Sequence, residues 1–144
     1  MKTKVVILLV VFAMCTLSFA GCGERESGLI DPETAKNTII RFFKAVKADD
    51  YAEATALIHR SSDFDVEKFI SDAEYAYRLD FNSDMIIHSI TEYDPAYPET
   101  HGYSDQRYFS ADMTVGGASL ETRFEIVKSS NGYGIRDINI TVHK

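Results

Sequence analysis

The apolar residues of this chain change period partway along, from spacings of three and four before about Asp84 to strict alternation after it. That switch constrains the fold more than any other feature. A 3.6-residue period lays one oily stripe along a helix, and a two-residue period lays one oily face on a strand. Upstream of the switch, Asp31-Pro32-Glu33 is a helix start: Asp to accept free N–H groups, Pro at the first helical position, and an acid at the positive end. Ala35, Ile39, Phe42, Phe43 and Val46 then fall on one face, with Lys36, Lys44 and Lys47 mostly off it. Asp49-Asp50 breaks the pattern. An Ala-rich stretch from Tyr51 to His59 predicts a short second helix, and Ser61, Ser62 and Asp63 offer the next cap. A third helix is expected from about Asp65 to Leu79, with Val66, Phe69, Ile70, Ala73 and Tyr77 on its apolar side.

Downstream, Met85 to Tyr93 reads as a strand, followed by a loop from Asp94 to Asp105 with two prolines and two tyrosines. Arg107 to Val115 and Leu120 to Lys128 alternate around Gly116-Gly117. A two-residue turn there sets Met113 across from Leu120 and Phe109 across from Phe124 on one face. On the other face it sets Ser110 across from Arg123 and Tyr108 across from Glu125. The oily faces coincide, as a hairpin requires. Matching Ile138, Ile140 and Val142 to Phe124, Thr122 and Leu120 calls for a three-residue loop, Ser130-Asn131-Gly132, with Gly132 left-handed. The expected fold is α+β: three N-terminal helices packed on a four-stranded antiparallel meander.

The first residues constrain location. Lys2 and Lys4 precede an apolar run from Val5 to Leu17, too short for a comfortable bilayer span, and small residues follow it. Phe19-Ala20-Gly21-Cys22 resembles the lipobox of bacterial lipoproteins, although Phe19 stands where Leu is usual. The resemblance implies residues 1–21 as a signal peptide, Cys22 as the lipidated residue, residues 22–30 as a tether and residues 31–144 as a single domain; the alternative is an ordinary secretory cleavage near Ala20. The domain would hang from the outer side of the cell membrane or, since Gly23 is not Asp, from the outer membrane. The diacylglycerol of such an anchor supplies the two acyl chains that stable attachment needs. Without residues 1–21, which hold Lys2 and Lys4 and no acid, the net charge of −7 becomes −9. An acidic chain of this kind lacks the basic face that nucleic acid requires. Cys22 is the only cysteine downstream of that leader, so no disulfide, cysteine metal site or thiol nucleophile is expected in the domain.

From Thr34 to Leu57 the chain resembles the opening of nuclear-transport-factor-2-like domains. An amphipathic helix is followed there by a short helix of acid, aromatic and small residues, here Asp50-Tyr51-Ala52-Glu53-Ala54. The order of helices before meander fits as well, and the resemblance spans about residues 31 to 144. It implies a sheet curled around a long helix to leave a conical pocket. The family includes isomerases, dehydratases, hydrolases, ligand carriers and dimerising adaptors. No enzyme motif aligns residue by residue.

Candidate site residues follow from the register. Arg107 and Arg136 both fall on the oily face, flanking Ile126, where two guanidinium groups suit a carboxylate or phosphate. The competing placement is at the rim, paired with helix acids such as Glu67 or Asp72. His88, between Ile86 and Ile90, is the best general-base candidate if that side of the strand faces inward; Met85 and Ile87 argue for the opposite side. Tyr93, Tyr97 and Tyr103 can form a binding lip or pack their loop. Asp80 to Asp84 starts like a calcium loop but has Met85 for the required glycine and Thr91 for the bidentate acid, so a helix-to-strand connection is expected. His59, His88, His101 and His143 lack metal-ligand spacing, and neither a metal nor a cofactor is expected. The expected role is non-enzymatic: a membrane-anchored envelope domain that binds a small amphipathic or anionic molecule, meets an envelope protein or forms a homodimer. The alternative is a small pocket hydrolase, dehydratase or isomerase using His88 with an inward carboxylate such as Asp80.

Overall fold

A computed structural model describes residues 28–98 and 102–143 of the chain. Cys22, the leader, most of the tether and His101 lie outside those residues. The first helix, α1 (Pro32–Lys47), starts where the sequence puts it. The Asp31 carboxylate accepts the Thr34 N–H and the Thr34 hydroxyl, both at 2.8 Å, a cap worth about 1 kcal/mol. Ala35, Ile39, Phe42, Phe43 and Val46 are all buried. The helix ends at Ala48, after which Asp49 takes a left-handed φ of 55°, a conformation Asp tolerates better than most residues.

The second helix, α2 (Tyr51–Ala56), stops three residues short of the expected His59. Tertiary pairing overrides local propensity there. Leu57 closes the helix with backbone angles still helical, and Ile58 then bridges Ile135 of the last strand, with Ile135 N–H donating to the Leu57 carbonyl at 2.9 Å and His59 N–H donating to the Ile135 carbonyl at 2.7 Å. The third helix, α3 (Val66–Tyr77), is capped by Asp65 rather than by Ser61, Ser62 or Asp63. It buries Val66, Ile70 and Ala73, while Tyr77 is largely exposed and Phe69 half-buried against Phe64. Arg78 closes it in the left-handed region. The stretch from Asp80 to Asp84 is the expected connection: Asp80 accepts the Asn82 N–H on its side chain and the Ser83 N–H on its carbonyl.

Four antiparallel strands follow in the order β1 (Met85–Glu92), β2 (Asp105–Val115), β3 (Ala118–Ser129) and β4 (Gly132–Val142). The molecule is therefore α+β, with helices on one open antiparallel sheet. Across β2 and β3 every expected partner is found, Phe109 with Phe124 and Tyr108 with Glu125 among them. Gly116 and Gly117 both take positive φ, 55° and 85°, the twist that a two-residue hairpin turn needs.

The pairing of Phe124 with Ile138, Thr122 with Ile140 and Leu120 with Val142 also holds. The loop differs. Ser129 pairs with Gly132, so Ser130 and Asn131 alone make the turn, and the extra residue appears instead as a bulge: Glu125 faces Asp137, Ile126 faces Ile135, and Arg136 has no partner position. A bulge at Arg136 and a longer loop give the same pairing beyond residue 137, so alternation alone could not separate them. A second bulge, at His88, lies between Ile87 and Ser89 in β1.

One face of the sheet and the buried face of α1 make the core. Phe42, Phe43 and Phe124 meet edge to face at 5.6–6.0 Å, the arrangement that aromatic quadrupoles favour. Phe81, Phe109, Met113, Leu120, Ile126 and Ile135 are buried around them. Truncating one such ring to Ala costs about 3–5 kcal/mol. These side chains pack between helix and sheet, the space in which the resemblance implies a conical pocket. Among the described residues, no helix is long and apolar enough to cross a membrane.

Candidate functional site

The sheet has two edges, and they are treated differently. Leu57 to His59 cover the β4 edge, whereas along β1 the helix α1 closes only in part. A trough of about 620 Å³ remains between α1 and β1. Its wall is mostly carbon, from Ile40, Phe43, Met85, Ile87 and Ile90, and its rim carries Glu33, Lys36, Asn37, Lys44, Lys47, His88 and Ser89. The helix supplies these residues because it has a second stripe beside the core stripe. Glu33, Asn37, Ile40, Lys44 and Lys47 recur at spacings of four and three. Ile40 is 45% exposed at the centre of that stripe. From β1 come Met85, Ile87 and Ile90, which point to the core side but, at an edge, are only half covered.

The charges of the trough are uneven. Lys36 pairs with Glu33 at 2.9 Å. Lys44 and Lys47, in the last turn of α1, have no ion-pair partner among the described residues. They meet the negative end of the helix dipole, and their stems lie along apolar surface with the ammonium groups in water. On a chain of net charge −7, two unpaired cations at one apolar trough form a local contrast.

The residues singled out in the sequence are dispersed. Arg107 and Arg136 do not share a face. Arg107 lies opposite Ile126 on the core side, at the sheet end, and binds Glu92 at 2.9 Å and Asp105 at 3.3 Å. The bulge turns Arg136 to the outer side, where it donates to Glu125 at 2.7 Å and lies over the Tyr103 ring. The expected two-arginine anion pocket is thereby divided. The rim placement holds for Arg107, but its partners are strand acids, not Glu67 or Asp72. The hydrogen bond that Arg107 donates to Glu92 raises the Arg107 pKa. Burial alone would push the Asp105 carboxyl up, but the Ile30 N–H at 2.6 Å and Arg107 outweigh it and hold it below the ordinary range.

His88 is turned outward by its own bulge and is exposed, with Nε2 2.7 Å from the Thr114 hydroxyl. Asp80 is exposed in its turn. The two therefore do not converge on the interior, as the enzyme alternative required. Tyr93 lies on the outer face beside Tyr108, with Arg123 over its ring at 5.5 Å, and burial raises its pKa. It lines a shallow polar cleft of about 340 Å³, which adjoins a second of about 430 Å³ that includes Tyr97, Arg136 and Asp137. The loop tyrosines thus part company: Tyr97 is exposed, while Tyr103 donates to or accepts from Ser61 Oγ at 2.9 Å.

One polar cluster escaped the sequence reading. His59 is only 2% exposed. Ser61 N–H donates to its Nδ1 at 3.2 Å, which leaves the Nε2–H to donate to Ser129 Oγ at 3.1 Å. Tyr103 packs edge-on against the ring. With its partners made, this histidine fastens the β4 edge. Among the described residues, no group of three or more His, Cys, Asp or Glu is placed to hold a metal.

The trough was missed because its lysines were read only as residues off the core face. The usable signal was Ile40, an isoleucine on the lysine stripe. No protein-family model matches the chain, and no curated protein is significantly similar to it.

Proposed function

We propose that this protein is a lipid-anchored, extracytoplasmic binding domain of the cell envelope, of the nuclear-transport-factor-2-like kind, in which the ligand sits at the α1–β1 trough rather than inside a cone. The observation that carries the reading is the trough itself: an open, carbon-walled channel with two lysines that have no ion-pair partner among the described residues, on a domain with aromatic rings packed in its core. A volume of about 620 Å³ is in the range of small-molecule sites. Support for the fold name comes from three helices followed by an antiparallel meander with α1 across its apolar face. Support for the anchor comes from Phe19-Ala20-Gly21-Cys22 and the polar tether after it.

Two measurements test this. Cys22→Ser should leave the protein uncleaved or in the soluble fraction; a variant that fractionates and matures like wild type refutes the anchor. Native mass spectrometry of the full chain, released gently from host membranes, should show a retained small mass. A clean apo mass across preparations refutes ligand binding and redirects the search to protein partners.

A further inference from the structure

The trough has a defined length, a defined wall and charge at one end. It follows α1 from Glu33 to Lys47, about 20 Å at the rise of an α-helix. Glu33 occupies Lys36 at one end, and at the other Lys44 and Lys47 have no ion-pair partner among the described residues. The wall between, centred on Ile40, Ile87 and Ile90, is mostly carbon and suits a hydrocarbon chain.

We propose that the trough seats a single-chain amphipath with a carboxylate head, a free long-chain fatty acid in chemical class. The tail lies along Ile40 and Ile87, and the head meets Lys44 and Lys47. This rests on the binding role proposed above and goes beyond it by naming the ligand. Charge complementarity selects the head: a neutral or cationic amphipath gains nothing from two ammonium groups that have no ion-pair partner among the described residues, whereas a singly charged carboxylate is attracted by both. Size selects one chain, since about 620 Å³ is the scale of one small ligand. The surrounding net negative charge disfavours a polyanion or an anionic bilayer at the same surface.

The test uses the full chain in its own membranes, exposed to a diazirine-bearing long-chain fatty acid or to its neutral methyl ester, then irradiated. Adducts are located by peptide mass spectrometry. The acid should label peptides from α1 and β1 several-fold more than the ester. The Lys44→Glu, Lys47→Glu double variant should remove that preference, and Ile40→Asp should remove most labelling of these peptides by both probes. All three residues are exposed, so the variants keep the fold, with a melting temperature lowered only modestly by the charges reversed at the helix end, and a single cooperative thermal transition confirms it. Equal labelling by acid and ester, adducts on the outer sheet face, or labelling indifferent to Ile40→Asp overturns the proposal. If native mass spectrometry retains a molecule that is not an acyl carboxylate, the ligand class falls while the binding role stands. If it retains none and labelling is absent, both fall.

Discussion

The two edges of the sheet solve one problem in different ways. Every open sheet ends in strands with unpaired N–H and C=O groups, and a protein must cover, blunt or use them. At β4 the chain covers the edge with its own backbone, Leu57 to His59, bonded on both sides of Ile135. At β1 no segment pairs with the edge among the described residues; a bulge at His88 blunts it, and at its far end Glu92 accepts a hydrogen bond from Arg107. The covered edge is built for stability. The bulged edge keeps an apolar wall half open, and the proposed ligand would sit against it. Each prediction below bears on that contrast.

The largest effect is expected at Gly134. A Cβ there would stand 2.7 Å from His59 N and 2.9 Å from the Leu57 carbonyl oxygen, both backbone atoms. Nothing flexible can give way, so Gly134→Ala must lift the strap from β4 at a cost of about 3 kcal/mol. Urea denaturation should show the loss, and hydrogen exchange should show Ile135 and His59 amides exposed. A substitution tolerated within about 0.5 kcal/mol would mean that the strap is not a fixed part of the fold.

His59→Ala comes next. It empties a buried site and leaves Ser129 Oγ and the Ser61 groups without their ring partner. The expected cost is about 2 kcal/mol, with faster exchange along β4 and none along β1. Uniform acceleration at both edges would erase the distinction between them.

Asp105→Asn probes the tie at the sheet end near β1. The Asp105 carboxyl titrates below its ordinary value in the folded chain. Its contribution is therefore present above the unfolded pKa and is lost as pH falls through the folded one, because the unfolded chain takes up the proton first. Replacing it should cost about 1 kcal/mol at neutral pH, through the weakened bond to Ile30 N–H, and should flatten the acid limb of stability against pH. An acid limb identical to wild type would remove Asp105 from the account.

The same contrast shows what the sequence could express. The β2–β3 register was legible because Gly116-Gly117 fixes the turn and both oily faces constrain it at once. The β3–β4 register was legible at Ile138, Ile140 and Val142, yet Arg136 was placed on the wrong face. A bulge and a longer loop leave the same downstream alternation, and only the local backbone chooses between them. The early end of α2 was hidden for a related reason: nothing in Leu57 to His59 is a helix breaker, and only the distant Ile135 draws Ile58 and His59 onto β4. Of the site, Lys36, Lys44 and Lys47 were visible as charges on α1, but which strand faces them is a tertiary fact. His88 was read as a conditional base and proves to be the residue that makes its own strand bulge outward.

The smallest effects are expected at the open edge, where they carry the most information. Ile86 is 55% exposed and Ile40 is 45% exposed. Ile86→Thr keeps a β-branched residue in a strand, and Ile40→Gln puts a good helix former on α1. Each should change stability by no more than about 0.5 kcal/mol, the range of surface substitutions away from special features. Ile86 points away from the trough and Ile40 into it, so their stabilities should agree while their ligand retention differs. Ile40→Gln should lose the bound mass and Ile86→Thr should keep it. A loss of 2 kcal/mol or more at Ile40 would mean that its side chain is packed against a permanent part of the structure, and the trough would then be a seam of the fold rather than a seat for a ligand.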